Sequence, residues 1–174
     1  MLYTFLEGKL LRLVPRDTSD GSLFFVSEDG TLGYNYSRSG LWKKIKATPT
    51  TCINSKDKTD AKRKQRYLQF KNALGRGKHI LVSHAVYLAW VGEIPKGYVV
   101  DHLNGITTDN RAANLDPVTF KENAKRAKLL QVLRSIGRNP LRLTRVELLT
   151  IFSRYEFRNP SDIMEYEMTH HMES

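Results

Sequence analysis

The stretch from Tyr98 to Ala127, YVVDHLNGITTDNRAANLDPVTFKENAKRA, constrains this chain more than any other. Apolar Tyr98, Val99 and Val100 run into Asp101-His102, and a polar loop follows. Asn114-Leu115 and a second short run, Pro117-Val118, lead to Thr119, which has the form of a helix start. Asn123 falls one turn into that helix. Two strands and a helix in this order can aim a carboxylate, an imidazole and an amide oxygen at one point. Such groups bind a hard divalent cation and activate water beside it. Each part alone is ordinary, since Asp-His pairs, Asn104-Gly105 and Asp109-Asn110 read as turns and a helical Asn mostly faces solvent. Their combination in this order points to chemistry.

Asp101-His102, Asn114, Thr119 and Asn123 together resemble the HNH endonuclease motif, in the form found in phage and intron-encoded homing endonucleases. The likeness is good over 79–127, weak over 20–78 and slight over 128–174. It implies a ββα-metal core in which His102 is the general base and Asp101 and Asn123 hold the metal. It also implies that Asn114 braces the loop between the strands and so fixes the histidine. The chemistry agrees with these roles. Two oxygen ligands leave positions for waters and a phosphate oxygen, which suits Mg²⁺ (or Mn²⁺). An imidazole with an ordinary pKa of about 6.5 suits a base near neutral pH. A buried amide such as Asn114 can bridge backbone groups of a loop that has no ladder. His84 falls where the family often has an upstream histidine. Two departures stand out: Ala85 occupies a common arginine position, and Asp116-Pro117 replaces a common Arg-Trp pair. Proline removes a ladder donor, so the second strand is expected to be short or edge-like.

A net charge of +10 and a pI near 9.8 favour a polyanion partner, nucleic acid ahead of a membrane surface. The charge is uneven. Residues 38–78 carry 13 Lys and Arg against Asp57 and Asp60, and residues 121–145 carry 8 against Glu122. The tail from Tyr155 to Ser174 has Arg158 against five acidic residues, so it is expected to face away from the polyanion. Double-stranded DNA is the expected partner. Lys62, Arg63, Lys64 and Arg66 are its candidate contacts in the first block, with Lys125, Arg126 and Lys128 in the second. A single cysteine, Cys52, excludes a disulfide framework or a cysteine-built zinc site. The opening MLYTFLEGKLLRLVPRD lacks a long apolar core, and no stretch approaches about 18 consecutive apolar residues. A cytoplasmic protein without a membrane role is expected, and no obligate protein partner is evident.

The expected fold class is α+β, with a β-rich basic N-terminal region (1–78), a nuclease core (79–137) and a C-terminal helical extension (138–174). LFFVSEDGTLGYN reads as a hairpin about Glu28-Asp29-Gly30. Residues 37–65 read as a long loop or ligand-ordered arm. Arg66–Phe70 and His79–Val82 read as strands on either side of the Gly75–Lys78 turn. Ser83 reads as the cap of a helix over 84–91. Thr119–Glu122 and Thr144–Glu147 are capping boxes, opening helices to about Ile136 and Tyr155, and a further helix is expected from Asn159. His79, His170 and His171 read as surface residues. The expected function is metal-dependent endonucleolytic cleavage of DNA, of the phage or mobile-element homing type. The alternative is a DNA-binding protein that keeps the fold but has lost cleavage, and a third reading is a colicin-like or structured-RNA nuclease.

Overall fold

The computed structural model describes residues 2–52 and 65–154. Lys62, Arg63, Lys64, the side chain of Arg66, His170, His171 and the helix expected from Asn159 lie outside the described residues. In chain order the elements are β1 (Tyr3–Leu6), β2 (Lys9–Leu13), β3 (Leu23–Ser27), β4 (Gly33–Tyr36), β5 (Trp42–Lys44) and β6 (Ala47–Cys52). There follow β7 (Gln65–Phe70), β8 (Ile80–Leu81), α1 (Val82–Trp90), β9 (Tyr98–His102), β10 (Leu115–Thr119), α2 (Phe120–Ser135) and α3 (Arg145–Arg154). The class is mixed helix and strand with antiparallel pairings. No helix among the described residues is long and apolar enough to cross a membrane.

The chain packs into two compact units. One comprises Met1–Ile94 with Thr107–Leu115, the other Pro95–Ile106 with Asp116–Ser174. This division differs from the sequence boundaries at 78/79 and 137/138. Helix α1 packs on β3, β7 and β8, so it cannot be cut from the N-terminal strands. Helix α3 shares one core with α2, so there is no break at 137.

In the first unit β1 to β5 form an antiparallel meander. Its first turn is Glu7-Gly8 between the paired Leu6 and Lys9, with φ of 49° and 73°. Positive φ at both positions is what a two-residue turn between twisted strands demands. Strand β3 is apolar on both faces because both are covered. Phe25 joins Leu11 and Leu32 on one side. On the other, Phe24 meets Phe70 edge-on at 5.2 Å. Trp90 of α1 also donates its indole N–H to the carbonyl of Val26 at 3.0 Å. A side chain at Gly33 would begin 2.8 Å from the Phe70 ring, so glycine is needed for that approach. Strands β6, β7 and β8 form a second antiparallel sheet with β7 in the middle. The expected loop over 37–65 is therefore corrected in its described part, where β5 and β6 are strands. Pro49 stands on β6, an edge strand, where a missing donor is tolerated. His79 is exposed, as expected, and its Nδ1 accepts the Asn72 amide at 3.0 Å across the turn.

In the second unit β9 and β10 pair as a two-stranded sheet, so both are edges, as Pro117 requires. Helix α2 leaves β10 with no intervening loop and lies against β9. Its N-cap is Thr119, whose hydroxyl accepts the Glu122 amide at 3.2 Å. At α3 the capping box is reciprocal: Thr144 Oγ1 accepts the Glu147 amide at 3.3 Å, and Glu147 accepts the Thr144 amide at 2.7 Å. Leu129, Leu130 and Leu133 of α2 and Leu148, Ile151 and Phe152 of α3 close a core with Leu103. Gly105, at φ 72°, turns the chain beneath α2, where a side chain would begin 2.8 Å from Arg134.

Candidate functional site

Strand β9 delivers Asp101 and His102. The strand runs through His102, so the two side chains leave on alternate faces. His102 lies with Val100 on the covered face and is only 4% exposed. Its carbonyl accepts the Gly105 amide at 2.7 Å, which fixes the backbone at the strand end. The Asp101 side chain keeps 12% of its surface in solvent. Its Oδ2 is buried with no hydrogen-bond partner. Burial pushes this carboxyl above its ordinary pKa. The Arg126 guanidinium and the His102 backbone amide pull the other way, and the charge of Asp116 adds to the rise.

Helix α2 brings Asn123 and Arg126 one turn apart on one face. Nη1 of Arg126 stands 3.6 Å from Asp101 Oδ2, so this face of the helix is turned to β9. Asn123 is half-buried there. A carboxylate oxygen without a hydrogen-bond donor, and an amide oxygen on the helix face turned to it, are hard ligands of the kind Mg²⁺ takes. They fit such an ion only if waters or phosphate complete its shell. Among the described residues no three His, Cys, Asp or Glu side chains are grouped to hold a metal by themselves.

Arg126 departs from the sequence reading of a phosphate contact. It is 7% exposed, and its guanidinium is engaged inward. Nη1 donates to Asp116 Oδ2 at 2.9 Å and Nη2 to Glu122 Oε1 at 2.8 Å. The group also lies 4.7 Å over the ring of Phe152. The other oxygen of Asp116 accepts Arg145 Nη2 at 3.0 Å, so one strand carboxylate ties α2 to the start of α3. In the sequence Asp116 stands out only as a departure from the family pattern, and nothing local marks Arg145. One signal was available: Arg126, Leu129, Leu130 and Leu133 fall at i, i+3, i+4 and i+7, the spacing of a buried face. Lys125 and Lys128 are exposed on α2.

Asn114 belongs to the first unit, in a short 3₁₀ turn before β10, and is 7% exposed. Its amide donates to the Asp109 carbonyl at 2.8 Å, spanning the loop that the sequence reading had it brace. His84 is half-buried in the first turn of α1, also in the first unit. Its neighbour Ala85 is wholly buried, where an arginine could not be housed without displacing core.

Residues 77–125 match a family model described as HNH endonuclease. A solved structure concerned with DNA binding and cleavage by the HNH homing endonuclease I-HmuI is 24% identical to this chain. The alignment has a TM-score of 0.42 and covers 79% of this chain and 60% of that one. This chain therefore spans less than two thirds of that relative. No curated protein matches the chain significantly.

Proposed function

We propose, from the match of residues 77–125 to a family model described as HNH endonuclease, that the protein is a metal-dependent DNA endonuclease of the homing type. The observation that carries this reading is Asp101, whose buried Oδ2 lacks a donor and faces the helix that bears Asn123. The strand pair β9–β10 and helix α2 are read as the ββα-metal core. Asp101 and Asn123 would hold Mg²⁺ (or Mn²⁺), which would supply Lewis-acid polarisation of the scissile phosphate and stabilisation of the leaving oxygen. His102, the last residue of β9, where the strand's alternation ends, is read as the group that takes the proton of the attacking water at an imidazole nitrogen. The Gly105–His102 backbone bond holds that strand end still, and Asn114 stiffens the loop through Asp109. Exposed Lys125 and Lys128 contact the backbone of double-stranded DNA, along with the basic stretch that includes Lys62, Arg63, Lys64 and Arg66.

A second reading has its own observation. Arg126 already places a positive group beside Asp101, as a protein that bound DNA without cutting it could also do. Supercoiled plasmid incubated with purified protein separates the two. Nicked or linear product that appears with Mg²⁺ or Mn²⁺ and disappears with chelator is expected. Retardation of the plasmid without any product under both metals would establish the binding protein instead.

A further inference from the structure

One guanidinium nitrogen in the second unit is shared unequally between two carboxylates. Arg126 Nη1 is 2.9 Å from Asp116 Oδ2, a hydrogen bond, and 3.6 Å from Asp101 Oδ2, which is an ion pair without one. The remaining restraints point the same way. Glu122 holds Nη2 at 2.8 Å from one turn back, and Phe152 lies under the guanidinium plane. Arg145 holds the far oxygen of Asp116 at 3.0 Å and so aims Oδ2 at Arg126. A cation in the first turn of a helix opposes the helix dipole, and Arg145 is compensated there by Asp116.

We propose that Asp116 is a positioning residue that holds Arg126 back from Asp101, leaving the Asp101 oxygen open to a metal ion. The inference rests on the reading of Asp101 as a metal ligand. Without Asp116, Nη1 has one remaining carboxylate within reach. It closes the 0.7 Å difference between the two contacts and makes a charge-assisted bond to Asp101. An incoming divalent ion would then have to break that bond. With Asp116 in place, the guanidinium keeps Asp101 partly neutralised in the metal-free protein but does not occupy its oxygen.

The test is Mn²⁺ binding to the DNA-free full chain, followed by electron paramagnetic resonance, with circular dichroism as the check on folding. Asp116→Asn is expected to weaken Mn²⁺ binding about tenfold, in line with other outer-shell changes at metal sites. Arg126→Gln is expected to bind Mn²⁺ at least as tightly as the wild type, because it removes the competitor. In Arg126→Gln the further change Asp116→Asn is expected to have no effect, and Asp116→Glu is expected to recover part of the affinity. A merely structural role would weaken binding in both single variants and add in the double. Wild-type affinity in Asp116→Asn, or an equal loss in the Arg126→Gln background, overturns the proposal. Asp101→Ala separates this failure from that of the underlying reading. If it binds Mn²⁺ as the wild type does, Asp101 is no ligand and both fall. If it loses binding while Asp116→Asn does not, the tether alone falls.

Discussion

Helices α1 and α2 are held in place by different means. Seven of the nine residues of α1 are buried, none of its first or last turn is charged, and no side chain caps its start. Only Arg126, Leu129, Leu130 and Leu133 are buried among the sixteen residues of α2, which begins with a threonine cap. One helix is fixed by being surrounded, and the other by its cap, its last two turns and a ring of charges. A helix so largely covered leaves little face for a ligand beyond His84 and Trp90. A helix that leaves its first turns half-exposed presents Asn123, Lys125 and Lys128, and the cost is that its innermost polar residue needs Asp116 and Glu122 as partners and still keeps a buried Nε without one.

The largest effect that would sharpen this contrast lies beside α2. His102→Ala should lower single-turnover plasmid cleavage by about 10²- to 10⁴-fold while DNA affinity and the circular dichroism spectrum stay near wild type. Cleavage at the wild-type rate would remove His102 from the mechanism. The next effect belongs to α1 and its surroundings. Phe70→Ala should cost about 3–5 kcal/mol in urea unfolding, because Phe70 is wholly buried against Phe24 and Gly33. A loss below 1 kcal/mol would show that this core relaxes around the cavity, and would break the claim that surrounding alone fixes α1.

How much of this was legible depended on how local the signal was. The hairpin about Glu28-Asp29-Gly30, the Thr144–Glu147 capping box, the Thr119 cap and the strand–loop–strand–helix order of 98–127 are written in neighbouring residues, and the structure has them, although Glu122 turns to Arg126 and does not complete a box with Thr119. Ser83 was misread as a cap because β8 runs into α1 directly, leaving Leu81 at the N-cap and Ser83 inside the helix. Strand β6, ATPTTC, was hidden by its polarity, although three threonines favour a pleated strand, and its pairing with β7 is a contact across the sequence. Arg126 was misread by composition. It sits among Lys125 and Lys128, and only its phase with Leu129, Leu130 and Leu133 reveals that it points inward. That Asp116 and Arg145 complete its shell could not be read, since no local rule joins a strand residue to the start of a helix 29 residues on.

A smaller effect of opposite sign tests whether the site is held at a cost to the fold. The Asp101 carboxyl titrates above its ordinary value in the folded state, chiefly through burial. Between the unfolded and folded pKa values the native state therefore keeps a proton that the unfolded chain has lost. Stability contributed by this group falls as pH rises through that window and stays lower above it. Asp101→Asn in the metal-free protein should accordingly raise the melting temperature at pH 7 and flatten its fall between mildly acidic and neutral pH. A lower melting temperature at pH 7 would mean that the 3.6 Å pairing with Arg126 outweighs desolvation.

The smallest effect bears on the start of α2 directly. Thr119 ends β10 and caps α2, its hydroxyl accepting the Glu122 amide at 3.2 Å. An uncapped amide at that point has no carbonyl partner within the helix, because the first turn has none to offer. Thr119→Ala should therefore destabilise the protein by about 1 kcal/mol in urea unfolding. The first turn also positions Glu122 against Arg126 and carries Asn123 toward β9. The same substitution should thus weaken Mn²⁺ binding modestly. Thr119→Ser, which keeps the hydroxyl, should restore both quantities. If Thr119→Ala shifts neither, the last turns of α2 suffice to set its first, and the cap does not distinguish this helix from α1.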